Sequence, residues 1–200
     1  MKSLLYKLIA GVMCILLAGS LFACTPEPEA EPLALVKAAP LDGASYLLGD
    51  SMGDYTLTDI DGKTYTFSEI LKEKKAVVLN FWFINCGPCR MEFPYLNEAY
   101  DIYKDDLEVI AVNPVGDSED EIKAFRDEFA LTFPVASGES GWQNALHIEG
   151  YPTTVVIDRF GKIAFKHTGY LSSTEEFEDI FEFYTSDGYT ATTVKNLNDI

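Results

Sequence analysis

The chain has 200 residues, of which 48% are apolar and 24% are charged, and its formal net charge at pH 7 is −17. The length and the apolar fraction are those of one globular domain with its own core. The acidic balance disfavours binding to nucleic acid and to anionic surfaces, because both would repel such a chain.

The N-terminal segment has the pattern of a secretion signal. Lys2 and Lys7 precede an uncharged apolar stretch from Leu8 to Ala23, which is typical of a signal peptide. The residues Leu-Phe-Ala before Cys24 resemble a lipobox, so we expect residues 1–23 to be a lipoprotein signal peptide and Cys24 to be lipidated. The alternative is an uncleaved signal anchor, since the stretch is nearly long enough to span a membrane. Both predict an extracytoplasmic protein held at the membrane, at the bacterial cell surface or in the periplasm.

The next segment, residues 24–40, contains four prolines and three glutamates. It has too little apolar surface to fold, and we predict a flexible tether that carries the domain away from the lipid anchor. Residues 41–184 are then expected to form the folded domain. Residues 185–200 carry no clear pattern and are predicted to be a C-terminal tail.

The first elements of the domain are read from turn residues and apolar runs. Asp54 to Thr58 and Lys63 to Phe67 predict a β-hairpin, and Ser68 is expected to cap a short helix that follows it. Ala76 to Phe83 and Leu107 to Val112 are apolar runs of strand length. Such runs indicate strands that are buried on both faces of a sheet.

Two cysteines lie between these apolar runs, at the start of a predicted helix that continues from Arg90 to Tyr103. The unpaired N–H groups and the dipole at a helix start lower the pKa of a thiol and favour the thiolate, which is the form that attacks disulfides. Cys86 is the expected nucleophile. Cys89, three residues later, lies on the same face of the helix and near enough to close a disulfide with Cys86.

A structural disulfide and half of a zinc site are the alternatives for this pair. A zinc site needs two further soft ligands, but the other cysteines, Cys14 and Cys24, lie in the N-terminal segment, and His147 and His167 are isolated. A bridge over so short a loop removes little chain entropy, which argues against a purely structural role. We therefore predict a redox pair, with no metal and no cofactor.

The second half of the domain is predicted to contain helices and a second hairpin. Ser118 and Glu121 have the spacing of a capping box that opens a helix to Ala130. Because strands alternate with helices, we expect a mixed sheet with helices on both faces. The remaining predicted elements are strands at Thr153–Asp158 and Ile163–His167 and a terminal helix at Thr174–Tyr184.

Two segments together resemble the thioredoxin fold. The first reads Val-Val-Leu-Asn-Phe-Trp from Val77, then Cys-Gly-Pro-Cys and Arg-Met-Glu-Phe-Pro, and the second is Tyr-Pro-Thr-Thr from Tyr151. Within that fold the chain is most similar to the TlpA/ResA-like proteins, which are membrane-tethered extracytoplasmic thiol-disulfide oxidoreductases, from about Gly53 to about Tyr184. The resemblance implies a thioredoxin-like α/β domain with an N-terminal β-hairpin extension and a redox-active Cys86–Cys89 disulfide.

The same resemblance implies which residues contact the substrate. Pro152 corresponds to the cis-proline that faces the dithiol in thioredoxin folds, where the backbone beside Tyr151 pairs with an extended substrate segment. An ordinary trans proline that opens a strand is the alternative. Gly87 and Pro88, between the two cysteines, are expected to contribute to the same substrate surface.

Glu92 is the third residue that the resemblance marks as catalytic. In ResA-like proteins a glutamate at this spacing lies near the second thiol, and we expect it to take the proton of Cys89 if burial raises its pKa. The alternative is a solvated glutamate on the helix surface. Thioredoxin usually has an aspartate where this chain has Asn80, so Glu92 is the better candidate for a carboxylate that serves the dithiol.

Three functions are compared on this basis. The first is a thiol-disulfide oxidoreductase that receives electrons from a membrane carrier of the CcdA/DsbD kind and passes them to oxidised extracytoplasmic proteins. The second is a peroxidase of the peroxiredoxin type, but the sequence context usual for its cysteine is missing before Cys86. The third is a Sco-like copper metallochaperone, for which the spacing between Cys86 and Cys89 is one residue too short. The sequence favours the first function.

Overall fold

The structure is a computed structural model that describes residues 41, 43–138 and 141–190. The predicted signal peptide (1–23), Cys24, the predicted tether up to residue 40 and the last ten residues of the predicted tail lie outside the described residues. In the part that is described, no helix is both long enough and apolar enough to cross a membrane.

Strands and helices alternate along most of the described chain. In chain order the elements are β1 (Thr56–Thr58), β2 (Thr64–Thr66), α1 (Phe67–Glu73), β3 (Ala76–Phe81), α2 (Gly87–Tyr103), β4 (Leu107–Asn113), α3 (Glu119–Glu128), β5 (Val135–Ser137), α4 (Gly141–Ala145), β6 (Thr153–Asp158), β7 (Ile163–Thr168) and α5 (Thr174–Thr185).

A five-stranded mixed sheet forms the centre of the domain, with the strand order β5-β4-β3-β6-β7. β3 runs parallel to β4 and antiparallel to β6, and β7 is antiparallel to β6. In the β3–β6 register Phe81 lies opposite Thr153. The end of β3, which leads to Cys86, and the start of β6, which follows Pro152, therefore meet at the same edge of the sheet.

Alternate side chains of β3 enter two different halves of the core, as the pleat of a strand requires. Ala76 and Val78 belong to an apolar cluster that includes buried side chains of α2, α3 and α5. Val77 and Leu79 belong to a second cluster, which includes Phe67 of α1 and side chains of α4. Helices thus cover both faces of the sheet, and the predicted fold class is confirmed.

The predicted N-terminal hairpin is present as β1 and β2, which pair antiparallel. The prediction that Ser68 caps the next helix is wrong. Helix α1 begins at Phe67, two residues before the start that a cap at Ser68 implies, and its N-cap, Thr66, makes no side-chain cap hydrogen bond. Instead, the backbone N–H and the hydroxyl of Ser68 both donate to Asp54, at 2.9 and 2.8 Å. A carboxylate before the hairpin thus accepts the N–H that a cap would otherwise satisfy.

The capping box that was predicted for the helix after β4 is confirmed. The Glu121 N–H donates to the Ser118 hydroxyl, and the Ser118 N–H donates to the Glu121 carboxylate at 3.2 Å. The helix itself, α3, ends at Glu128, two residues before the predicted end.

The packed structure continues beyond residue 184, where the sequence places the end of the domain. Helix α5 ends at Thr185, and Tyr189 is buried beyond it. The Tyr189 hydroxyl donates to the Asp158 carboxylate at 2.8 Å, and its ring stacks on Phe160. The first residues of the predicted tail are therefore part of the core.

Candidate active site

The start of α2 is built around Cys86, which is the N-cap residue of this helix and has an extended backbone. Its sulfur accepts a hydrogen bond from the Cys89 N–H at 3.2 Å, and its own N–H donates to the Phe83 carbonyl at 3.1 Å. A helix N-terminus presents unpaired N–H groups and partial positive charge. The Cys86 sulfur therefore lies where a thiolate is stabilised.

Cys86 and Cys89 form a disulfide, with their Cα atoms 5.3 Å apart. The structure is thus that of the oxidised protein, and the pairing that the spacing predicts is confirmed. The side chains of Cys86 and Cys89 are buried, whereas Asn85, Gly87 and Pro88 around them are exposed. The disulfide consequently lies directly beneath the surface, and the two residues that are proposed to contact substrate form part of that surface.

The segment before β6 lies at the edge of the sheet where β3 ends. The Tyr151–Pro152 peptide bond is cis, as predicted. The half-buried ring of Tyr151 meets the ring of Phe83 edge-on, with centroids 5.4 Å apart, and its hydroxyl accepts a hydrogen bond from Gln143 of α4. Helix α4 thus holds the Tyr151 ring against Phe83, which lies three residues before Cys86.

Glu92 follows Cys89 by three residues on α2, and only 1% of its surface is exposed. One carboxyl oxygen accepts from the Asn80 side-chain amide and the other from the Leu171 N–H, both at 2.8 Å. Burial raises the pKa of Glu92 to about 7, with a smaller contribution from Glu176, and the two hydrogen bonds oppose the rise. The alternative of a solvated surface glutamate is therefore wrong.

Asn80 is a residue of this site that the sequence did not indicate as such. It is fully buried on β3, and its amide nitrogen also donates to the Thr154 hydroxyl at 3.2 Å. In the sequence, Asn80 was noted only because thioredoxin usually has an aspartate at this position. The available signal was the alternation of β3, which places Asn80 on the same face as Val78, the face covered by α2.

Asp117 is a second residue that the sequence did not indicate, since it lies in an acidic run that reads as solvated surface. Its carboxylate accepts from the Ile84 N–H at 2.9 Å and from the Asn113 side chain at 2.8 Å. These bonds fasten the loop that leads to Cys86 to the loop that follows β4. No local pattern reveals this contact, because Ile84 and Asp117 are 33 residues apart.

Arg90, directly after Cys89, contributes little to the site. Its guanidinium forms an ion pair with Glu128 at 2.6 Å and lies over the rings of Phe125 and Phe129. Its charge is thus engaged by α3 and its neighbouring residue, as expected of a surface salt bridge rather than of a catalytic cation.

The family model that matches this chain is that of the AhpC/TSA family, over residues 48–166. Among curated proteins, the thiol-disulfide oxidoreductase ResA of Geobacillus thermodenitrificans (strain NG80-2) is 35% identical over 130 residues, which are 64% of this chain and 73% of that protein.

Solved structures agree with this match. A putative thiol:disulfide interchange protein DsbE from Chlorobium tepidum is 32% identical, with a TM-score of 0.58, and the match covers 68% of this chain and 96% of that one. The exposed lipoprotein thioredoxin Etrx1 from Streptococcus pneumoniae strain TIGR4 is 28% identical, with a TM-score of 0.57 and coverages of 65% and 98%.

The sheet order, the disulfide at the start of α2 and these similarities agree with one another. The chain belongs to the AhpC/TSA family, and it is a thioredoxin-like thiol-disulfide oxidoreductase of the ResA type.

Proposed function

We propose that the protein is an extracytoplasmic reductant of protein disulfides, held at the membrane by a lipid on Cys24. A membrane electron carrier of the CcdA/DsbD kind reduces the Cys86–Cys89 disulfide, and the resulting dithiol reduces oxidised extracytoplasmic proteins. The observation that carries this proposal is the Cys86–Cys89 disulfide at the start of α2, with the buried carboxyl of Glu92 on the next turn of the same helix.

The first step is attack by Cys86. Its thiolate, stabilised at the helix start, forms a bond to one sulfur of the substrate disulfide and breaks the S–S bond, so that one substrate thiolate leaves. In this proposal the substrate segment lies against exposed Gly87 and Pro88 and half-buried Tyr151, with Pro152 buried directly beside Tyr151. The product is a mixed disulfide between Cys86 and the substrate.

Cys89 then resolves the mixed disulfide. Its thiol gives a proton to the Glu92 carboxylate, and the thiolate attacks the Cys86 sulfur, which forms the Cys86–Cys89 disulfide and releases the second substrate thiolate. Two electrons pass from the dithiol to the substrate, and Glu92 holds the proton. A carboxyl with a pKa of about 7 suits this step, because it is partly ionised at neutral pH and binds the proton readily.

The proposed location rests on the N-terminal sequence and on one relative. Lys2, Lys7 and the apolar stretch to Ala23 have the pattern of a signal peptide that ends at a lipidated cysteine. Etrx1, which has a similar fold and 28% identity, is itself described as an exposed lipoprotein. Removal of the signal peptide and lipidation of Cys24 would leave Cys86 and Cys89 as the only free thiols in the chain, so that no third thiol would compete for the mixed disulfide.

The reduction potential of the Cys86/Cys89 couple tests the proposed direction of electron flow. Equilibration of the protein with glutathione buffers of known potential, followed by alkylation of free thiols, gives the fraction that is reduced. We expect a potential near that of thioredoxin, about −270 mV. A potential near that of DsbA, about −120 mV, would make the protein an oxidant and overturn the proposal.

A further inference from the structure

The side-chain amide of Asn80 is buried, and among the described residues it makes hydrogen bonds through its nitrogen but none through its oxygen. Its nitrogen donates to Glu92 at 2.8 Å and to the Thr154 hydroxyl at 3.2 Å. Its oxygen is buried and accepts no hydrogen bond from any residue that the structure describes. A buried acceptor without a donor is costly and rare, so this arrangement calls for a physical reason.

The hydrogen-bond partners of Glu92 suit its ionised form, because all of them are donors. Both oxygens receive a hydrogen bond from an N–H group, one from Asn80 and one from Leu171. When Glu92 takes up a proton, its new O–H group has no acceptor among these partners unless one of them changes its role. A backbone N–H cannot change its role, but a side-chain amide can.

A half-turn of the Asn80 amide removes this conflict. Rotation exchanges the positions of its nitrogen and oxygen, so that the oxygen, which now lacks a donor, accepts from the protonated carboxyl of Glu92. The Thr154 hydroxyl both donates and accepts, and it can therefore donate to the rotated oxygen just as it accepts from the nitrogen. Either protonation state of Glu92 thus finds a complementary partner in Asn80, and the Thr154 hydroxyl can follow the exchange.

We propose that Asn80 is a positioning residue for proton transfer at Glu92. Its side-chain amide donates to the carboxylate and, after a half-turn, accepts from the carboxylic acid. The inference deepens the proposed function and rests on the role of Glu92 as the base for Cys89. It gives a chemical reason for an amide, rather than an acid, beneath the dithiol helix. Two carboxyls in contact would compete for one proton, whereas an amide adjusts to the single carboxyl.

Other groups near Glu92 do not depend on Asn80. From α5, the charge of Glu176 acts on Glu92, and the hydroxyl of Tyr170, in the loop after β7, interacts with it electrostatically. On α2 the neighbouring ionisable group is Cys89, when it is reduced. The strands beneath contribute Asn80 and Thr154, which do not ionise. A substitution at Asn80 alone therefore measures what its amide contributes to the titration of Glu92.

The test is a direct titration of the Glu92 carboxyl by carbon-13 NMR in the oxidised protein, with the resonance assigned through Glu92→Gln. Asn80→Leu removes both the donor and the acceptor. The hydrogen bond from Asn80 to the charged carboxylate is stronger than the bond between Asn80 and the neutral acid. Its loss should therefore raise the midpoint of the Glu92 titration by about one pH unit, which is a tenfold change in proton affinity. Asn113→Leu is the matched control, since Asn113 is equally buried on β4 but donates to Asp117.

Two further measurements test the inference even if Asn80→Leu folds poorly. In the wild type, the nuclear Overhauser contact between the Asn80 NH₂ protons and the Thr154 side chain should weaken as Glu92 takes up its proton, because the half-turn carries the NH₂ group away. An amide that does not rotate would keep this contact and change only its chemical shift. Asn80→Asp keeps the shape of the side chain and should split the titration into two separated steps, because two coupled carboxyls lose their protons in turn.

The inference is wrong if the Glu92 midpoint in Asn80→Leu stays within the scatter of the Asn113→Leu control, or if the Asn80 NH₂ group keeps its contact with Thr154 throughout the Glu92 titration. These outcomes are distinguishable from failure of the proposed function. If Glu92→Gln resolves mixed disulfides as fast as the wild type, Glu92 is not the base, and the NMR titrations still decide whether Asn80 responds to its proton. If Glu92 is the base, the pH profile of resolution should shift in Asn80→Leu by the same amount as the midpoint.

Discussion

Replacement of Glu92 by glutamine is expected to change the stability of the oxidised protein in a pH-dependent way. Burial raises the pKa of this carboxyl from its usual value of 4.5 to about 7. Between these two values the folded protein binds more protons than the unfolded chain, so the free energy of unfolding must fall as the pH rises. Below pH 4.5 both states are protonated, and this contribution to stability is fully present.

The size of the effect follows from the difference in pKa. A rise of about 2.5, at 1.36 kcal/mol for each pKa unit, corresponds to roughly 3 kcal/mol lost between pH 4.5 and pH 8. Glutamine has nearly the same shape but no proton to lose, and its amide oxygen can accept from Leu171. Glu92→Gln should therefore have a stability close to that of the wild type at pH 4 and exceed it by up to roughly 3 kcal/mol at pH 8.

Urea unfolding of the oxidised protein, measured at several pH values from 4 to 8, checks this prediction. The quantity to compare is the difference in unfolding free energy between variant and wild type at each pH, since other titrating groups then cancel. Glu98→Gln, which removes an exposed carboxyl from the same helix, is the control for the loss of a charge. A difference that is constant with pH, or that shrinks as the pH rises, would refute the reasoning about the buried carboxyl.

Three further predictions concern the reaction and the location. Cys89→Ser should trap substrate proteins as mixed disulfides on Cys86, whereas Cys86→Ser should trap none; non-reducing electrophoresis of affinity-purified protein checks this, and the reverse pattern would exchange the roles of the two thiols. Glu92→Gln should slow resolution of a mixed disulfide on the order of a hundredfold and leave the attack by Cys86 nearly unchanged; stopped-flow kinetics with a peptide disulfide separate the two steps, and equal rates in variant and wild type would remove Glu92 from the mechanism. Cys24→Ala should abolish incorporation of labelled palmitate; a wild type that incorporates none would favour the signal-anchor alternative.

Local sequence was sufficient for the features that depend on near neighbours. The Cys-Gly-Pro-Cys turn, the capping box at Ser118 and the strands β3 and β4 each follow from residues within one element. The spacing of Cys86 and Cys89 alone placed their sulfurs within bonding distance, because a helix fixes that geometry. The cis bond before Pro152 followed from resemblance to the thioredoxin fold.

The surroundings of Glu92 were not predictable in the same way. Its two hydrogen-bond donors are 12 and 79 residues away along the chain, and one of them is a backbone N–H, which carries no sequence signal. Whether a glutamate at that helix position is buried depends on how β3 and the loop after β7 pack against α2. Short elements were missed for a related reason, because β5 and α4, with three and five residues, are too short to show a period.

The loop after β7 holds two of these distant contacts within three residues. The Gly169 N–H donates to the Pro152 carbonyl at 2.9 Å, and the Leu171 N–H donates to Glu92. One short stretch of backbone is therefore bonded at one end to the segment proposed to bind substrate and at the other to the group proposed to receive the proton. If docking of a substrate at Pro152 also alters the Leu171 bond, the affinity of Glu92 for a proton changes with it. Thermodynamic reciprocity then requires that the pH change the affinity for substrate by the same factor.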